Sequence, residues 1–70
     1  LQDFELAIKY FKLSASQGNS DAQWNLGNIY ENGTGLLQDF NEAVHYYKLS
    51  SKQKNPKAQF SLGQLYRKFK

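Results

Sequence analysis

Apolar positions recur at helical spacing in four stretches of the chain. Phe4, Ala7, Ile8, Phe11 and Ala15 return every three to four residues and predict one buried stripe on a helix over about 4–17. Ala22, Leu26, Ile29 and Tyr30 do the same over about 20–32. Phe40, Ala43, Val44 and Tyr47 predict a third helix over about 40–53, and Ala58, Leu62, Leu65 and Tyr66 a fourth over about 56–69. Start signals agree with these spans. Asp3, Asn19, Asp39 and Asn55 each stand just before a predicted helix, where a short polar side chain can accept from the free backbone N–H groups. Pro56 takes the first helical position, where its missing N–H costs nothing. Asp39 with Glu42 three residues on predicts a capping box. Gly18 is expected to close the first helix, whereas Lys54 at the matching place predicts a frayed or differently closed turn. The ENGTG stretch at 31–35 reads as the connecting loop.

One residue resists the helical reading. Gly27 sits inside AQWNLGNIY (22–30), where glycine costs about 1 kcal/mol relative to alanine. Gly63 sits identically inside AQFSLGQLY (58–66), 36 residues later. Sliding residues 1–34 onto 37–70 gives 16 identities. Repetition on this scale predicts an all-α chain of the α/α solenoid type, with two helix–turn–helix repeats at 1–36 and 37–70. Because the exception recurs with the period, Gly27 is expected to be a packing glycine that lets a neighbouring backbone or aromatic ring come close. Trp24 and its counterpart Phe60 lie towards the polar arc of their helices, which fits either inter-repeat packing or a binding hot spot.

These residues resemble the Sel-one-like repeat, a relative of the tetratricopeptide repeat. The pattern's turn glycines, cap and helix positions are met by Gly33, Gly35, Asp39, Ala43, Tyr46, Tyr47, Ala58, Leu62, Gly63 and Tyr66. Asp3, Ala7, Tyr10, Phe11, Ala15, Gly18, Ala22, Leu26, Gly27 and Tyr30 meet it in the first half. Ser14, Ser50, Ser51 and Lys54 depart from it. The resemblance implies a tetratricopeptide-like superhelix acting as a protein–protein interaction scaffold or adaptor, in membrane-associated, quality-control or signalling complexes. It also implies that the first helix of each repeat lines a concave surface. The chain opens just inside the pattern and stops where another glycine pair is due, so it is expected to be a fragment of a longer array, with neighbouring repeats as partners.

Candidate partner-binding residues follow on that first-helix face: Lys9, Leu13, Ser16, His45, Leu49 and Lys52 project away from the buried stripe. The two leucines fit either a strip that holds another protein or peptide, or packing against an adjacent repeat. Charge adds a rival. The net charge of +3 divides into −2 over residues 1–36 and +5 over 37–70. Lys48, Lys52, Lys54 and Lys57 could therefore hold nucleic acid or another polyanion, although no nucleic-acid motif accompanies them. A purely structural spacer is the remaining alternative.

Little else in the sequence carries chemistry. His45 is the only histidine and its counterpart is Lys9, which reads as exposed surface and not as a catalytic or metal site. Asp3 and Asp39 are accounted for as caps. No enzyme activity, cofactor or metal is expected. No apolar run approaches membrane-spanning length, so direct membrane insertion is not expected either. Asn32-Gly33-Thr34 is a formal glycosylation acceptor whose Asn and Gly also suit a turn.

Overall fold

The computed structural model describes residues 3–69, so Leu1, Gln2 and Lys70 at the ends of the two expected repeats lie outside the described residues. Those described form four helices and no strand: α1 (Phe4–Ser16), α2 (Ser20–Asn32), α3 (Phe40–Lys52) and α4 (Pro56–Lys68). The chain is all-α. The predicted ends at 17, 53 and 69 fall on capping residues just past the helices.

Local capping accounts for the starts. Asp3, Asn19 and Asp39 each accept from the backbone N–H three residues on, at 2.9, 2.9 and 3.1 Å. Asn55 accepts from Lys57 and Ala58 at 2.9 and 3.4 Å. The capping box expected at Asp39 forms by half: the Glu42 N–H donates to Asp39 Oδ1, but the Asp39 N–H donates to the Tyr30 carbonyl at 2.9 Å and not to the Glu42 side chain. That bond ties the start of α3 to the last turn of α2. The expectation of a different closure at Lys54 is also overturned. Lys54 adopts φ 66°, a left-handed conformation like that of Gly18 (φ 90°). Both residues then donate three positions back, Gly18 to Ala15 at 3.0 Å and Lys54 to Ser51 at 2.8 Å. The geometry of the turn wins over the cost of a Cβ in that region.

The joint between α2 and α3 is the best-bonded in the molecule. Gly27 is buried, and the space its side chain would fill is occupied by the Tyr47 ring. Tyr47 is itself fully buried, among Ala43 and Leu65. This is the close approach that the sequence predicted. Around it runs a set of polar bonds. The Tyr47 hydroxyl lies 2.7 Å from a Glu31 carboxylate oxygen and 2.6 Å from the Asn28 amide oxygen. A phenol has one proton, which goes to the carboxylate, so the Asn28 amide serves best flipped, donating to the phenol oxygen. Ser50 Oγ donates to the Ser20 carbonyl at 2.8 Å. The Asn55 amide donates to Ser20 Oγ and Asp21 Oδ1. Gln23, buried, donates to the Ala15 carbonyl and accepts from Gln53, linking the ends of α1 and α3 through α2.

Two apolar clusters result, one of Ile8, Ala15, Ala22 and Leu26, the other of Ala43, Tyr47 and Leu65. Several residues of the predicted stripes are not enclosed. Phe4 and Tyr66 stay 45% and 50% exposed, and Ala7 is exposed as well. The reason is positional: α1 and α4 are each covered on one side only, whereas α2 and α3 are covered on both by their neighbours.

Two outcomes follow for stability. Gly27→Ala should destabilise the fold by roughly 1–3 kcal/mol through overpacking against Tyr47, whereas Gly63→Ala should gain up to about 1 kcal/mol in dilute protein because nothing lies within 4 Å of that site. Urea titration of both variants checks this, and equal signs would contradict it. Lys54→Gly should raise the unfolding free energy by roughly 1–2 kcal/mol by relieving the left-handed conformation; a loss on the same titration would show that Lys54 sits there without strain.

Candidate partner-binding surface

The six residues singled out on the first helices divide five to one in exposure. Lys9, Leu13, Ser16, His45 and Lys52 are exposed, while Leu49 is half-buried. Leu13 is 55% exposed on α1. Ser16 turns its hydroxyl back onto the Leu13 carbonyl at 2.7 Å, so it caps its own helix and is less available to a ligand. His45 packs its ring edge-on to Tyr46, with centroids 5.0 Å apart.

Sequence reasoning missed two residues of this surface. Leu6 and Tyr10 are 46% and 60% exposed. With Leu13 they stand at i, i+4 and i+7, an apolar stripe on the side of α1 opposite Ile8 and Ala15. The spacing was visible in the sequence. It escaped because the stronger stripe of Phe4, Ile8, Phe11 and Ala15 claimed the helix.

Behind the surface lie two stacked tyrosines. Tyr30 and Tyr46 have ring centroids 5.8 Å apart and planes within 7°, and Tyr46 packs onto the cluster of Ile8, Ala15, Ala22 and Leu26. Burial first, and then the neighbouring Tyr30, push the Tyr46 phenol above its ordinary value, with Lys12 opposing. Burial also pushes the Tyr47 phenol well above its ordinary value, and the hydrogen bond to Glu31 adds to it. Neither phenol is poised for acid–base chemistry near neutrality.

Two of the basic residues of the second half have partners. Lys57 lies over the Trp24 ring at 5.1 Å from its centroid. Lys68 pairs with Glu31 at 3.5 Å, an exposed contact of small energy. Lys48, Lys52 and Lys54 are exposed. Among the described residues no group of His, Cys, Asp and Glu could hold a metal ion, and no helix is long and apolar enough to cross a membrane. Asn32 ends α2 and is exposed, and with Thr34 it borders a groove between α1 and α2. Gly33 beside it takes φ 71° and donates to the Ile29 carbonyl at 2.8 Å, closing that helix.

Trp24, unlike most of the first-helix residues, is engaged. It packs on the cluster of Ala43, Tyr47 and Leu65, and its indole N–H donates to Ser61 Oγ at 3.0 Å. Phe60, its counterpart, is 69% exposed.

The pH dependence of stability follows from the tyrosines. Their folded pKa values exceed the unfolded ones, so the folded state keeps phenol protons that the unfolded chain has lost. Stability from this source is fully present below about pH 10 and is lost as pH rises through the folded values. Thermal melts should therefore fall above that pH, and less steeply in Tyr47→Phe, which at neutral pH should cost about 1 kcal/mol. An identical alkaline slope in the variant would contradict this.

The family model described as Sel1 repeat matches residues 1–19, 20–55 and 56–68, everything but Phe69 and Lys70. Its middle segment opens at the start of α2 and runs through α3. No curated protein matches the chain.

Proposed function

The chain belongs to the Sel1 repeat family, and we propose that it is an α/α solenoid segment, with helix–turn–helix units at 1–36 and 37–70, that works as an adaptor by holding another protein or peptide on its first-helix face. Sel1 repeats are protein–protein interaction modules. The observation that carries the reading is the Leu6–Tyr10–Leu13 stripe, which stands exposed on α1 beside Lys9. Apolar side chains with charged neighbours suit the contact core and rim of a peptide site. Lys9, His45 and Lys52 supply cationic or hydrogen-bonding groups at the edge, and Leu13 with the half-buried Leu49 supplies the apolar centre. The mechanism is presentation of a pre-formed helical surface, which saves a ligand the cost of ordering its receptor.

Panning a displayed peptide library against the chain tests this. Selected peptides should lose at least about tenfold in affinity on Leu13→Asp, as expected when a central anchor is removed. They should bind Phe60→Asp unchanged, and helical circular dichroism should persist in both variants. Peptides that ignore Leu13→Asp, or that bind only at low salt and are lost with Lys52→Glu plus Lys54→Glu, would overturn the reading in favour of a polyanion surface.

A further inference from the structure

The contacts that seat α2 on the second half of the chain have an unfilled copy at each end of the row of four helices. Trp24 packs on Ala43, Tyr47 and Leu65 and donates to Ser61. Shifting those four partners back by 36 residues gives Ala7, Phe11, Ile29 and Asn25. All four line one open groove of about 260 Å³ between α1 and α2. Shifting Trp24 forward gives Phe60, which is 69% exposed. An aromatic knob and its socket are thus both present and apart. Two further contacts repeat the relation. The Tyr47 ring fills the space over Gly27, whereas the space over Gly63 is open and Phe11, the counterpart of Tyr47, is only half-buried. Tyr30 stacks on Tyr46, whereas their counterparts Tyr66 and Tyr10 are 50% and 60% exposed.

We propose that a second copy of this chain docks head-to-tail, seating its Phe60 in the α1–α2 groove and laying its α4 against α1. The groove exceeds the about 150 Å³ of apolar space that suffices for a benzene molecule. Charge supports the same pairing, since the half of the chain that carries the knob is +5 and the half that carries the groove is −2. At the tip of the ring the polar differences match: Arg67 stands in place of Glu31 and Phe11 in place of Tyr47, so the hydroxyl and the carboxylate that accepts from it disappear together. Further along the seam they do not, since Asn19, the counterpart of Asn55, meets Pro56 and Lys57 in place of Ser20 and Asp21 and turns its amide to water. Such a contact is heterologous. It leaves a free knob at one end and a free groove at the other, so association grows as an open series and does not stop at a dimer. The two readings share Tyr10 but are tested apart, since Leu13→Asp leaves Phe60 and the lining of the groove unchanged.

Sedimentation velocity on the 70-residue chain, across micromolar to millimolar concentrations, tests it. The average mass should rise continuously past that of a dimer. Phe60→Asp removes the knob and Ala7→Trp fills the groove, and each should weaken association at least about tenfold. Both residues are exposed, so circular dichroism should confirm that both variants keep their helices. The decisive arm is the equimolar mixture: each variant retains the face that the other lacks, so the two should form a one-to-one heterodimer that grows no further. A wild-type chain that stays monomeric, growth that ends at a dimer, association indifferent to either substitution, or a mixture without heterodimer would each overturn the proposal.

Discussion

The fold depends on the Tyr47 ring lying where a side chain at residue 27 would be. Only glycine permits that approach, and the ring brings a hydroxyl with it that must be satisfied once it is buried. Glu31 and Asn28, one turn and one residue further along α2, supply the partners. A single aromatic residue of α3 is thereby held at its ring by Gly27 and at its tip by two polar side chains. The remaining cross-bonds, from Ser50, Gln53 and Asn55 to Ser20, Gln23 and Asp21, continue the same seam towards the turn that closes α3. With few fully buried side chains in so short a chain, this seam stabilises what a larger domain would owe to its core.

What was legible in the sequence was what is decided locally. Asp3, Asn19, Asp39 and Asn55 were readable as caps because each acts on N–H groups two or three residues away. Gly27 was readable because it broke a local rule twice at one spacing. The failures depended on contacts from elsewhere in the chain. Glu42 does not complete a capping box, because Tyr30 reaches the Asp39 N–H first. Lys54 follows the left-handed path of Gly18, because the next helix must leave in the same direction. Tyr66 and Ala7 carry the same apolar signal as Tyr30 and Ala43, yet only the latter pair has a neighbour to cover it. Periodicity reports which face of a helix is apolar. It does not report whether anything packs there.

The same distinction separates the two surfaces of interest. The Leu6–Tyr10–Leu13 stripe has no enclosed counterpart on α3 along its full length, since Glu42 replaces Leu6 there. That difference between otherwise similar helices suits a surface specific to one place in the chain. The Phe60 knob and the groove beside Ala7 are instead near-copies of a contact the molecule already makes. The chain thus departs from its own repetition along one side of α1 and follows it at Phe60 and at the α1–α2 groove.

The seam itself is open to direct measurement by proton NMR. One Gly27 α-proton points along the direction a Cβ would take, so it should be shifted by the Tyr47 ring current and show strong nuclear Overhauser contacts to the ring protons of Tyr47. The Gly63 α-protons, measured in the same dilute sample, should show neither. Ordinary shifts for both glycines, with no contact between Gly27 and Tyr47, would contradict the account at its base.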